Sequence, residues 1–310
     1  LDAWGEYRAH AFSRVRVGQM KTPFTRHRAQ SFTQLPLTDW DIATVALGAE
    51  RQLGAMVHDG GSEDESLHYA LGMFAGPNAR ATFARGVSDL YAEPLVNRSS
   101  LRTAAISVPI HPAFVAHLGY GSRKMRLDTL SDAAGGPLRA FGGVSANGDL
   151  RPEQRHDYVG RVAVESLLKW EHLGLNLVGY AGALRLTDDT TRIGLLGVTA
   201  EAAYHVAQRW EIAARYSRVQ SSASARADAR EHARAQLTAA SGSGLPAAQQ
   251  QAMRAGLQRA SDELALGLNT YVVGRSLCLQ TELAWLRDVR AGEESVLDSV
   301  RARLQTQLAF

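Results

Sequence analysis

Short stretches in which apolar and polar residues alternate recur along the chain. In the C-terminal stretch VRARLQTQLAF, Leu304, Leu308 and Phe310 share one face of an extended strand. Arg301 and Arg303 share the opposite face. Comparable segments run about 9–11 residues each, which is the length of a tilted strand that crosses a membrane. The pattern predicts an all-β chain.

Short and long connections alternate between these segments. The long connections are predicted near residues 21–51, 75–99, 124–155 and 221–262. Short turns at one end and longer loops at the other are typical of outer-membrane barrels. We predict thirteen strands at residues 2–9, 13–20, 52–58, 66–74, 99–109, 113–123, 157–169, 173–186, 192–205, 209–220, 263–273, 277–287 and 298–310.

The two faces of the predicted strands differ in chemistry. One face is apolar and often carries Trp or Tyr near an end, as an aromatic girdle at a membrane interface requires. The other mixes Arg, Glu, Gln and Asn with Gly and Ala, which a dry core would not accept. The longest stretch without Asp, Glu, Lys or Arg, residues 103–122, contains Pro109 and Pro112 and so predicts a hairpin rather than a membrane helix. We therefore predict a transmembrane antiparallel up-and-down β-barrel with a wet lumen.

The domain organisation follows from the same pattern. Residues 1–310 are predicted to form a single barrel domain, with an Ala-rich helical insertion at 221–262 that is broken by SGSGLP. The insertion is interpreted as an external loop, or alternatively as a plug or a partner-binding element. Because bacterial single-chain barrels have even strand numbers, an odd count leads us to expect further strands before residue 1.

Composition excludes several classes of function. The formal net charge of +3 does not indicate nucleic-acid binding. The single cysteine, Cys278, rules out a disulfide framework and a multi-cysteine metal site. Glycine-rich phosphate loops, nucleophile elbows and HExxH motifs are absent from the sequence. We expect no catalytic residues, no cofactor, no metal site and no enzyme activity.

One segment carries a more specific signal. RVRVGQMKTPFTRHRAQSF begins as a strand that stops near Lys21 and continues into a basic loop with Arg26, His27 and Arg28. It resembles the phosphate-selective porin O and P family, in which a strand ending G-Q/R-x-K-x-P-F leads into a loop that folds inward. RQLGAMVHDG, LHYALGMFAGPN, ELALGLNTYVVG and the final Phe extend the resemblance over most of the chain.

The resemblance implies a bacterial outer-membrane porin with about sixteen strands. This chain would lack the N-terminal strands of that barrel. It implies passive diffusion of small solutes, with small anions such as phosphate as partners, contact with outer-membrane lipid and a homotrimer. Lys21, Arg26 and Arg28 are the implied anion-binding residues of the constriction. Alternation additionally points six arginines at the lumen, namely Arg14, Arg16, Arg161, Arg215, Arg301 and Arg303.

Alternatives remain open at this stage. Relatives carry an acidic residue followed by arginine where this chain has Asp39 and Trp40. The barrel could serve as a scaffold that docks a partner through 221–262, and a soluble all-β enzyme is a third hypothesis. Each lumen arginine could also form a structural ion pair with one of the predicted lumen glutamates, Glu165, Glu201, Glu211, Glu263 and Glu282.

Overall fold

Thirteen strands form one antiparallel sheet in which each strand pairs with the next along the chain. The structure, a computed structural model, describes residues 2–10, 12–49, 51–61, 64–75, 112–149, 158–185, 192–221, 258–273, 276–290 and 296–308. The up-and-down order confirms the predicted fold class. The strands are β1 (Ala3–His10), β2 (Ser13–Lys21), β3 (Arg51–His58), β4 (Leu67–Phe74), β5 (Ala113–Gly121), β6 (Arg139–Asp149), β7 (Tyr158–Trp170), β8 (Leu173–Arg185), β9 (Arg192–Ala207), β10 (Trp210–Ser221), β11 (Gln258–Val273), β12 (Leu277–Arg290) and β13 (Val296–Leu308).

The predicted strand at residues 99–109, and the hairpin between it and the next strand, lie outside the described residues. β4 pairs with β5 along its whole length, from Leu67 opposite Tyr120 to Phe74 opposite Ala113. The described sheet therefore has β4 and β5 as direct neighbours, where the prediction placed one more strand between them.

A different strand was missed. β6 lies inside the stretch predicted as a long loop, and it pairs with both β5 and β7. Its outward face carries Ala140, Gly142, Ala146 and Gly148, with Val144 as the single large apolar side chain. Small residues give little hydrophobic contrast between the two faces, which is why the alternation was not apparent.

The predicted helical insertion falls mostly outside the described residues. β10 ends at Ser221 and β11 begins at Gln258, so residues 258–262 are strand rather than insertion. Residues 222–257 are not described. No helix in the described part of the chain is long and apolar enough to cross a membrane.

The outer face of the sheet carries the surface that a membrane requires. Exposed Tyr120, Trp170 and Trp210 lie at the end where the two-residue turns are found. Exposed Phe114 and Tyr216 lie toward the other end. Exposed leucines and valines fill the band between these aromatic residues. This arrangement is the apolar band and aromatic girdle of a transmembrane β-barrel.

Two connections fold into the interior of the sheet. We call residues 22–49 the long inward loop and residues 122–138 the short inward loop. They enter from opposite ends, because one joins β2 to β3 and the other joins β5 to β6. The long inward loop contains α1 (Arg26–Ala29), a 3-10 turn (Phe32–Gln34) and α2 (Ile42–Leu47).

The long inward loop packs tightly on the barrel wall. Leu47 and Ala43 of α2 are buried with Leu195 in a hydrophobic cluster that also contains Tyr180. A Cβ atom at Gly197 would lie 2.6 Å from Leu47 Cδ1, so a side chain there would force the buried Leu47 side chain to shift. The interior on this side is therefore filled by protein.

Candidate pore constriction

The chain turns inward immediately after β2, as the sequence resemblance implied. Phe24 is fully buried, and its ring centroid lies 6.4 Å from that of Tyr180 on β8. The guanidinium carbon of Arg161 lies 5.3 Å from the Phe24 ring centroid. Arg161 also donates to the carbonyl of Gly48 at 2.9 Å. Two points of the long inward loop, one near each end, are thus fixed by the same arginine.

Arg26 is held inside the interior rather than at an open surface. Its Nη2 donates to Asn176 Oδ1 at 2.7 Å, and its Nη1 donates to the carbonyl of Leu127 at 2.6 Å. The backbone N–H of Arg26 donates to Glu165 at 2.7 Å. Because Leu127 belongs to the short inward loop, Arg26 joins the two inward loops to the wall.

His27 and Asp41 form the centre of a buried polar network. His27 Nε2 lies 3.2 Å from Asp41 Oδ2, and His27 Nδ1 lies 3.5 Å from Glu201 Oε2. Both ring nitrogens face carboxylates, which fits a protonated imidazole. Asp41 also caps α2, since it accepts from the N–H of Thr44 at 2.8 Å, and it accepts from Ser217 at 2.8 Å. Side chains from both loop and wall therefore meet at one carboxylate.

The charged groups of this network shift each other's pKa values. Burial alone would lower the pKa of His27, but Glu201 and Asp41 raise it above its ordinary value. Burial alone would raise the pKa of Asp41, but the hydrogen bond and charge of His27, together with Arg215, lower it well below its usual range. The network is held as a charged pair.

Arg215 forms a structural ion pair, as the sequence left open. It is buried, its Nε donates to Glu263 Oε1 at 3.0 Å, and its Nη1 lies 3.4 Å from Glu201 Oε1. Its Nη1 also donates to the carbonyl of Asp39 at 2.8 Å. Arg215 faces the interior, where it binds the long inward loop and two wall carboxylates.

The short inward loop reaches the same interior from the opposite end. Lys169 Nζ donates to the carbonyl of Arg126 at 2.7 Å and to Thr129 Oγ1 at 2.9 Å. A Cβ atom at Gly174 would collide with the carbonyl of Leu130, so this loop also needs a glycine in the wall. An inward fold of this loop was not predicted, although the apolar residues spaced through MRLDTLSD were a usable signal.

The remaining side of the interior is accessible. We call this region, bounded by β1, β2, β13 and residues 26–40, the accessible space. The Arg14 side chain is 40% exposed and that of Arg303 is 27% exposed, whereas Arg215 and Lys169 are 2% exposed or less. The exposed arginines therefore lie beside β1 and β13, the two strands that have one neighbour each in the described sheet.

Arginines outnumber carboxylates on the wall of the accessible space. Glu6 pairs with Arg14 at 3.0 Å and with Arg16 at 2.6 Å, so a single carboxylate faces two guanidinium groups. Arg16 also lies over the ring of Trp4, 4.1 Å from its centroid. The ion pair leaves one positive charge of the two arginines uncompensated.

Across the accessible space, each arginine of β13 has one carboxylate partner. Arg303 pairs with Asp39 of the long inward loop at 3.1 Å. Arg301 lies 3.3 Å from buried Glu282, which also accepts from Thr38. Residues 38–39 of the loop therefore touch β12 and β13 and close one side of the accessible space.

The loop side of the accessible space carries the other predicted constriction residues. The Arg28 guanidinium carbon lies 4.4 Å from the Trp40 ring centroid, and Lys21 Nζ lies 5.5 Å from it. Lys21 also donates to the carbonyls of Ala29 and Gln30. The structure thus brings Lys21 and Arg28 together at one tryptophan and places Arg26 separately, in the buried network.

No group of three or more His, Cys, Asp or Glu side chains in the described ranges is arranged to hold a metal ion. The geometry offers fixed positive charge beside water, which attracts anions without binding them covalently.

The fold is shared with channels of the bacterial outer membrane. The outer membrane channel DcaP of Acinetobacter baumannii superposes with a TM-score of 0.54 at 10% identity, over 96% of this chain and 71% of that one. OprB of Pseudomonas putida superposes with a TM-score of 0.54 at 11% identity, over 99% of this chain and 72% of that one. OccK5 of Pseudomonas aeruginosa superposes with a TM-score of 0.52 at 12% identity, over 100% of this chain and 71% of that one.

Sequence comparisons added nothing to this likeness, since no protein-family model and no curated protein sequence matched the chain. At such low identity the likeness concerns the fold. The chain therefore has the transmembrane β-barrel fold of outer-membrane porins.

Proposed function

We propose that the protein is an outer-membrane porin that lets small solutes diffuse through the accessible space, with a preference for anions such as chloride or phosphate. The observation that carries the proposal is the charge of that space. Six cations, Arg14, Arg16, Lys21, Arg28, Arg301 and Arg303, face three carboxylates, Glu6, Asp39 and Glu282.

The physical mechanism is electrostatic. An anion that leaves bulk water loses part of its hydration, and closely spaced guanidinium groups compensate for that loss. Passage also requires that the anion leaves again, which several partly neutralised arginines allow better than one deep site. Arg26, Arg161 and Arg215 contribute differently, because their contacts hold the inward loops in place.

Ion selectivity in planar bilayers tests the proposal. We expect a chloride-to-potassium permeability ratio above one, which falls toward one in the double variant Arg14→Gln/Arg303→Gln. The change should be larger at 0.1 M than at 1 M KCl, because the Debye length falls from about 10 Å to about 3 Å. In the same recordings, a homotrimer would close in three equal steps.

Arg218→Gln is the matched control. Its side chain is 41% exposed, close to that of Arg14, but it pairs with Asp262 near Tyr216 on the outer face of β10 and β11. Its removal should leave the permeability ratio unchanged. A channel that prefers cations contradicts the anion preference, and a barrel that never conducts contradicts the porin function and favours the scaffold hypothesis.

A further inference from the structure

Aromatic rings lie beside the arginines of the accessible space. Trp4 is on the inward face of β1, since it alternates with Glu6, which contacts His58 at 3.0 Å on the inward face of β3. Although its ring carries the Arg16 guanidinium, Trp4 is 46% exposed. An indole that faces water on the inside of a barrel presents apolar area to a passing solute.

A second aromatic group stands on the facing loop. Trp40 carries Arg28 on its ring, and the ring centroid of Phe32 lies 5.4 Å from that of Trp40. Phe32 is itself exposed. Ring area and positive charge therefore meet on the long inward loop as they do on β1.

The two groups lie at different depths along one strand. Arg16 contacts Trp4, and Lys21, five residues further along β2, contacts Trp40. At about 3.4 Å per residue, Arg16 and Lys21 are roughly 17 Å apart along β2. Lys21 is the last residue of β2 and contacts the long inward loop, so the second ring lies at the start of that loop and the first lies on the wall.

From this geometry we infer that the accessible space selects small anions that carry a planar apolar group over anions of equal charge that lack one. The inference rests on the proposed function and names its substrate class. Arg16, which donates to Glu6, and Arg28 place positive charge beside the two rings, and this charge attracts a carboxylate or sulfonate. The solute's own ring then packs against the adjacent indole.

Anions without a ring would gain only electrostatic attraction from the same site. Phosphate or methanesulfonate can contact the guanidinium groups but has no planar apolar group to place on Trp4 or Trp40. The rings therefore discriminate between anions that the arginines attract equally.

The experiment compares benzenesulfonate with methanesulfonate as blockers of chloride current in planar bilayers. Both ions carry one negative charge on a sulfonate group, to which benzenesulfonate attaches a phenyl ring and methanesulfonate a methyl group. We expect benzenesulfonate to block at a lower concentration. Trp4→Leu should raise its half-blocking concentration roughly two- to five-fold, the size of a typical aromatic contact, and should leave methanesulfonate unchanged.

Trp210→Leu is the matched control, because Trp210 is 45% exposed but lies on the outer face of β10. It should change neither half-blocking concentration. Equal block by the two sulfonates in an anion-selective wild type would overturn the inference and leave the proposed function standing. A loss of benzenesulfonate block in Trp210→Leu as large as in Trp4→Leu would also overturn it. A wild type that prefers potassium would remove the proposed function itself.

Discussion

At the scale of single residues, the interior arginines divide into two groups that their sequence positions do not distinguish. Arg215 is buried between two carboxylates, whereas Arg14 shares one carboxylate with a neighbour and stays in water. Both lie on inward faces of strands. The difference arises because the long inward loop contacts Arg215 on β10 but reaches only the Lys21 end of β2, so Arg14, at the other end of β2, stays in water.

Removing a buried arginine should therefore affect stability. Arg215→Ala removes the buried partner of Glu263 and leaves Glu201 with His27, and we expect it to lower the free energy of unfolding by about 3–5 kcal/mol. Arg218→Ala, three residues further along β10, should cost at most about 1 kcal/mol because its ion pair is exposed. Urea unfolding from lipid vesicles, followed by tryptophan fluorescence, measures both. Equal losses would show that the buried pair is not an anchor.

At the scale of elements, the long inward loop is docked by charge as much as by apolar packing. His27 and Asp41 come from the loop, and Glu201 comes from β9. An isolated helix of six residues such as α2 would not form in water, so its structure depends on this docking. The loop should accordingly respond to the protonation of His27.

The direction of the pH effect follows from the pKa of His27. This pKa is raised in the docked loop by Glu201 and Asp41, against the effect of burial, and returns to about 6.5 when the loop undocks. The stabilisation is fully present below about pH 6.5 and is lost as the pH rises through the raised pKa. Over that range the equilibrium constant for docking of the loop falls by at most about tenfold per pH unit. Asp41, whose pKa is lowered, stays ionised over this window.

Hydrogen exchange of the α2 amides, corrected for the intrinsic rate, measures the effect. Protection should fall from pH 6.5 upward in the wild type. His27→Gln should weaken protection at pH 6 and remove most of the dependence on pH, whereas His10→Gln, on the exposed face of β1, should leave the profile as it is. If His27→Gln showed the same dependence of protection on pH as the wild type, protonation of His27 would have no role in docking the loop.

Sequence pattern predicts the elements of this protein better than their contacts. Strands with large outward residues, such as Leu264 and Leu266 of β11, were found, and β6 was missed because its outward face is mostly Ala and Gly. The inward loop was predicted by its resemblance to a known segment. Its anchors were not, because contacts such as that of Thr38 with Glu282 join residues 244 positions apart, which no local pattern records.

At the scale of the whole molecule, the sheet separates two environments. The outward face meets lipid with leucine, valine and aromatic side chains, and the inward face carries charges that are either buried under the loops or left in water. From β2 to β12 each strand pairs with a neighbour on both sides, which satisfies its backbone N–H and C=O groups as the core of a bilayer requires. The depth of each outward residue in the membrane should then set its tolerance to charge.

Two substitutions on the outward face of β11 test that depth. Leu266 pairs with Ala214, between the Trp210 and Tyr216 positions of the neighbouring strand, while Val272 lies near the turn to β12. We expect Leu266→Arg to lower the free energy of unfolding from vesicles by about 2–4 kcal/mol and Val272→Arg by about 0–1 kcal/mol. Both wild-type side chains are exposed and share one face, so folding strain does not separate them. Equal costs would mean that the outward face of β11 does not span the hydrocarbon core.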